Sequence, residues 1–114
     1  MTELKTEFTG KLYLEVKGER VIGPGRVELL ERIQDSGSIR QAALQMKMSY
    51  RQAWQFIDHM NTHLGEPVVV SARGGKGGGK AEVTPKGLAV VALFKTFHAE
   101  FQQFLEKKNS QTEF

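Results

Sequence analysis

Residues 38–64 read SIRQAALQMKMSYRQAWQFIDHMNTHL, and the spacing of apolar side chains in this stretch decides the fold. Ser38 is a good N-cap for a short helix whose apolar face is Ile39, Ala42, Ala43 and Met46. A break at Lys47-Met48 is followed by a second capping residue, Ser49. A longer helix then buries a stripe of Tyr50, Ala53, Trp54, Ile57, Met60 and Leu64, until Gly65 and Pro67 stop it. The turn between the two helices has about three residues, and small side chains (Ala42, Ala43, Ala53) stand where the helices must touch. That is the requirement of a helix-turn-helix, in which the second helix crosses the first steeply while its own first turn stays exposed.

Working outward, residues 11–16 alternate, with Leu12, Leu14 and Val16 on one side and Lys11, Tyr13 and Glu15 on the other. After Lys17-Gly18-Glu19 the apolar pattern resumes at Val21-Ile22, which predicts a hairpin. Gly23-Pro24-Gly25 breaks the strand, and Val27, Leu30 and Ile33 then recur at helical spacing up to Ser36-Gly37, a helix of about three turns. Downstream, Val68-Val69-Val70 and residues 81–84 are two short extended segments around a glycine-rich loop. Thr84 caps a last helix with Pro85 at its first position, where a missing amide costs nothing. The fold class is therefore α+β, mainly helical: a winged helix-turn-helix with an N-terminal β-hairpin and a long C-terminal helix. A chain of 114 residues is expected to be a single domain over 1–114, with its core at about 23–105.

Charge is distributed unevenly. Between Ser36 and Lys80 there are six basic residues (Arg40, Lys47, Arg51, Arg73, Lys76, Lys80) against two acidic ones, while the remainder holds ten basic and eleven acidic residues. A basic middle between near-neutral flanks is the footprint of a polyanion-binding face. Zero cysteines exclude disulfides, thiolate zinc sites, iron–sulfur clusters and cysteine nucleophiles. No signal peptide is legible, and the longest run without a polar residue, 88–94, is far short of a membrane span, so a cytoplasmic protein with no membrane partner is expected.

The candidate site follows from these placements. Ser49, Tyr50, Arg51, Gln52 and Gln55 stand at the start of the second helix, and Arg and Gln are the side chains that bind guanine and adenine edges in the major groove. Arg73, Lys76 and Lys80 punctuate the glycine loop, which reads as a wing able to approach phosphates closely; Arg40 and Lys47 are placed to touch the DNA backbone. Gly74, Gly79 and Lys80 also match part of a phosphate-binding loop, but Ala81 replaces the magnesium-ligating Ser/Thr and no helix opens there. On the last helix Val90, Phe94, Phe97, Phe101 and Phe104 fall four, three, four and three apart, a seam suited to a homodimer contact or to the chain's own core. His59 and His63 stand one turn apart, with no third ligand evident, and read as solvated histidines. No metal or other cofactor and no catalytic constellation is expected. An adaptor that has lost DNA binding and uses the phenylalanine seam for a protein partner is the alternative to a DNA-binding regulator.

The residues Leu29-Leu30, Ser36-Gly37-Ser38-Ile39, Ala42-Ala43, Met48-Ser49-Tyr50, Ala53-Trp54, Met60-Asn61, Gly74-Gly75-Lys76-Gly77-Gly78-Gly79, Thr84 and Gly87 occur in an order and spacing that resembles one family. From Val27 to about Leu105 the sequence is similar to the N-terminal DNA-binding domain of the ModE family, the molybdate-responsive transcriptional regulators. The resemblance implies a winged helix-turn-helix related to the LysR type, dimerising mainly through its long C-terminal helix. Full-type ModE regulators carry C-terminal oxyanion-binding domains, whereas this sequence ends about ten residues after the long helix. The expectation is DNA binding by residues 49–55 and the glycine wing, by a homodimer on near-palindromic double-stranded sites, with no molybdate site in this chain.

Overall fold

The structure, a computed structural model, describes residues 4–72 and 80–112. Strands β1 (Leu14–Val16) and β2 (Glu19–Ile22) form an antiparallel hairpin. Its two-residue turn holds Lys17 and Gly18 at φ 51° and 82°, the left-handed pair that matches the twist of a tight hairpin. The expected alternation fails at one point. The register shifts between Leu14 and Glu15, so that the adjacent Val21 and Ile22 are both buried. Leu12 and Val16 pack against the core as expected, whereas Leu14 is left exposed by the bulge.

Helix α1 (Pro24–Ser36) begins at Pro24 itself, with Gly23 as N-cap, so the Gly-Pro-Gly stretch opens the helix rather than preceding it. Val27, Leu29, Leu30 and Ile33 are buried, and the helix ends at Gly37, whose φ of 70° suits a residue without Cβ and whose N–H donates to the Ile33 carbonyl at 2.7 Å. Helix α2 (Ile39–Gln45) is capped by Ser38 Oγ, which accepts from the Gln41 N–H at 3.0 Å; helix α3 (Tyr50–Leu64) is capped in the same way by Ser49 Oγ from Gln52. Each cap satisfies an amide that has no partner inside its helix. Ala42, Ala43 and Ala53 are all buried at the α2–α3 junction, and Ile57 and Met60 continue the stripe into the core. Tyr50 departs from the expected stripe. It lies at the first position of α3, beyond the reach of the core, and is 42% exposed.

Strands β3 (Val69–Ala72) and β4 (Lys80–Val83) pair antiparallel from Val69↔Val83 to Ala72↔Lys80, forming the base of the wing. The Ala81 N–H donates to the Gly37 carbonyl at 2.9 Å, which fixes the wing to the corner between α1 and α2. Thr84 Oγ1 donates to the Pro67 carbonyl at 2.6 Å and accepts from the Gly87 N–H at 3.1 Å, joining the wing to helix α4 (Pro85–Ser110). Gly87 sits so close to the Val68 carbonyl that a Cβ there would overlap it, and α4 can approach the wing only at glycine.

The first half of α4 packs on the core through Phe94 and the half-buried Val90 and Val91, and Lys95 Nζ pairs with Glu31 of α1 at 2.8 Å. Its second half is covered on one side by the extended N-terminal segment. Asn109 receives the Phe8 N–H at 2.6 Å and donates to the Phe8 carbonyl at 3.0 Å, while Gly10 lies against the Phe101 ring. Among the described residues, no helix is long and apolar enough to cross a membrane.

Candidate nucleic-acid interface

The two capped helices leave one polar end of α3 at the surface. Arg51 and Gln55 are exposed and Gln52 is half-buried on the side away from Ala53, Ile57 and Met60, and Tyr50 stands exposed at the outer end of the buried stripe. Arg51 and Gln55 stand one helical turn apart, about 6 Å along the axis. That matches roughly two base-pair steps at about 3.4 Å each. No carboxylate occurs between Ser38 and Ile57, so nothing in this stretch of sequence opposes an approaching phosphate.

Tyr50 organises this end. The Arg40 guanidinium of α2 lies 4.6 Å over its ring, and Trp54 meets it edge-on at 6.4 Å between centroids. Arg40, Tyr50 and α3's first turn thus form one cationic and aromatic surface, held by a cation–π contact that orients the guanidinium without neutralising it. Lys47 occupies the turn in the left-handed region (φ 56°) and is exposed. Lys80 opens β4 at the wing base and is exposed. The wing cations Arg73 and Lys76, and the glycine loop around them, lie outside the described residues.

The seam on α4 divides. Phe94 is 7% exposed and belongs to the chain's own core, which corrects its expected place among contact residues. Val90 and Phe101 are half-buried, the latter against the N-terminal segment. Phe97 and Phe104 are more than half exposed, and Leu93, absent from the sequence-level seam, joins them on the same face at 54%. Leu93 and Phe97 also line a groove with Leu12, Tyr13, Leu14 and Ile22. The seam thus straddles the boundary between core and surface, with Phe94 turned toward the β1–β2 hairpin and Phe97 and Phe104 outward.

The histidines are not solvated. His59 Nε2 is 2.8 Å from Glu19 Oε1 and His63 Nε2 is 2.9 Å from Glu19 Oε2, across 40 or more residues of sequence. The hydrogen bond from His59, aided by His63 and opposed by partial burial, holds the Glu19 carboxyl below the usual carboxylate range. Arg26 stands behind His59, where burial lowers its pKa and Glu19 works against that change.

A helix-turn-helix followed by a two-stranded wing and a long helix defines a winged-helix protein. No protein-family model matches the sequence. Curated proteins do. The chain is 35% identical over 102 residues to the molybdenum transport protein ModE of Azotobacter vinelandii, covering 90% of this chain and 38% of that protein. It is 40% identical over 93 residues to the DNA-binding transcriptional dual regulator ModE of Escherichia coli K12, covering 81% and 35%. It is also 41% identical over 92 residues to the molybdenum-pterin-binding protein MopB of Rhodobacter capsulatus, covering 81% and 34%. The chain belongs to the ModE family, as a domain of its N-terminal kind, and spans little more than a third of the length of these relatives.

Proposed function

We propose that the chain is the DNA-binding module of a transcriptional regulator and acts as a homodimer on near-palindromic sites. The observation that carries this reading is the acid-free, exposed start of α3 with Arg40 stacked on Tyr50. In this reading Ser49, Tyr50, Arg51, Gln52 and Gln55 enter the major groove. Arg51 and Gln55 read base edges, while Arg40, Lys47, Lys80 and the wing cations Arg73 and Lys76 hold phosphates. The names of the relatives, which include transcriptional regulators, support the same reading.

The exposed Leu93, Phe97 and Phe104 supply the dimer contact, since a two-fold pairing of α4 removes these side chains from water. Two recognition helices so related need half-sites about 34–36 Å apart, or a multiple of that distance. Selection of bound fragments from genomic DNA tests the reading: recovered sites should share an inverted repeat with that spacing. Retention of all fragments alike, at any salt concentration, would leave a charge-driven polyanion binder in place of a regulator.

A further inference from the structure

Three donor groups from two elements converge at the C-terminal half of α3, two turns or more along from its exposed first turn. One ligand atom from each of Glu19, His59 and His63 lies within 4.8 Å of the others, and the two imidazole rings stand 4.1 Å apart. The proton inventory of this cluster is incomplete. His63 Nδ1 is 2.9 Å from the His59 carbonyl oxygen, which can only accept, so Nδ1 carries the proton and donates it. A neutral ring then has a lone pair on Nε2, aimed at Glu19 Oε2, which also offers a lone pair, at 2.9 Å. Two facing lone pairs need a cation. A metal ion held between the two can accept from both lone pairs at once.

We propose that Glu19, His59 and His63 form a binding site for a divalent late first-row transition ion of the zinc class. Two imidazole nitrogens and one carboxylate oxygen are the borderline donor set such ions take; magnesium and calcium prefer oxygen alone. The bond from His63 Nδ1–H to a backbone carbonyl is the outer contact that orients metal-bound histidines. The Glu19 side chain is 56% exposed and the imidazoles about a quarter exposed, which leaves the outer side of the site open to a water ligand.

Arg26 sets the one rearrangement that binding requires. Its guanidinium now donates to His59 Nδ1 at 2.7 Å, and coordination through Nε2 transfers the ring proton to that Nδ1. Arg26 must then release the ring, while its bond to the Val21 carbonyl at 2.9 Å and its place over Phe56 hold it nearby. The bound ion ties the β1–β2 hairpin to α3 and leaves Tyr50, Arg51 and Gln55 free.

Cobalt(II) titration of the untagged full chain at neutral pH tests it, followed by visible d–d absorption and by displacement with zinc. The expected result is a saturable band of one ion per chain, abolished by His63→Ala and weakened at least about tenfold by Glu19→Gln. His98→Ala, which removes the histidine on α4, leaves the band unchanged. Far-ultraviolet circular dichroism checks that the helical content of each variant is intact, and Glu19→Gln, at an exposed strand position, keeps the test valid if a helix substitution unfolds. Absence of the band with cobalt in excess, or its survival in both His63→Ala and Glu19→Gln, overturns the proposal and leaves a proton as the cation of the cluster.

Discussion

Helices α3 and α4 begin alike, each capped by a hydroxyl, yet they leave opposite chemistry at the surface. On α3 the apolar stripe of Ala53, Ile57 and Met60 is fully used in the core, and what remains outside is Arg51, Gln55 and the Tyr50–Arg40 stack. On α4 only Gly87 and Phe94 are fully buried, and the outer face still carries Leu93, Phe97 and Phe104. A polar helix end suits a charged, hydrogen-bonding partner, whereas an apolar stripe suits a second apolar stripe. On the reading proposed above, α3 meets DNA and α4 meets a second copy of the chain.

The largest effect is expected on α4. Replacing both Phe97 and Phe104 with Asp should convert a dimer to soluble monomers in sedimentation velocity, because a carboxylate buried without a partner costs several kcal/mol. Both residues are already exposed within the protomer, so the helical content of the folded monomer should change little. A variant that remains dimeric would move the contact away from this face.

Next comes the cap of α3. Ser49→Ala removes the acceptor of the Gln52 N–H and should cost about 1 kcal/mol of stability, lowering the melting midpoint by about 4 °C. The DNA affinity should fall at least as far as that fraying explains, since Ser49 also stands in the groove in the proposed reading. A smaller loss is expected for Arg40→Ala, at about 0.5–1 kcal/mol of binding, or roughly two- to fivefold in Kd, equal for all DNA sequences. Unequal losses would make Arg40 a base reader instead of a backbone contact.

No effect at all is expected from molybdate on the DNA affinity of this chain. A selective oxyanion site needs several donors converging in a shielded pocket, and among the described residues Arg40, Lys47, Arg51 and Lys80 all lie on open surface. Titration calorimetry with molybdate against a sulfate control checks this. Selective micromolar binding that shifts affinity for the operator would relocate the sensor to this chain.

Much of the fold was legible in the sequence where the physics is local. Ser38, Ser49 and Thr84 cap the helices they were expected to cap, and each acts on an amide three residues away. Pairings between distant residues were not legible. The carboxylate that joins His59 to His63 comes from Glu19, and the partner of Asn109 is the backbone of Phe8, 101 residues earlier. No periodicity encodes such meetings. Leu14 was misplaced for a related reason, since alternation cannot show a bulge that resets the register halfway along a strand. The phenylalanine seam was seen as a pattern, but which of its edges faced inward depended on where α1 and the N-terminal segment lie against α4.

If the start of α3 reads sequence while the wing base supplies charge, substitutions at the two places should fail in different ways. Fluorescence anisotropy would measure binding of wild type, Arg51→Ala and Lys80→Ala to a selected operator and to its single-base variants at fixed salt. Arg51→Ala should cost about 1–3 kcal/mol on the operator and abolish discrimination at one base position in each half-site. Lys80→Ala should weaken every duplex alike and make the log–log salt slope shallower by about 1. If Arg51→Ala keeps full discrimination at every position, α3 does not read the bases there, and the account fails.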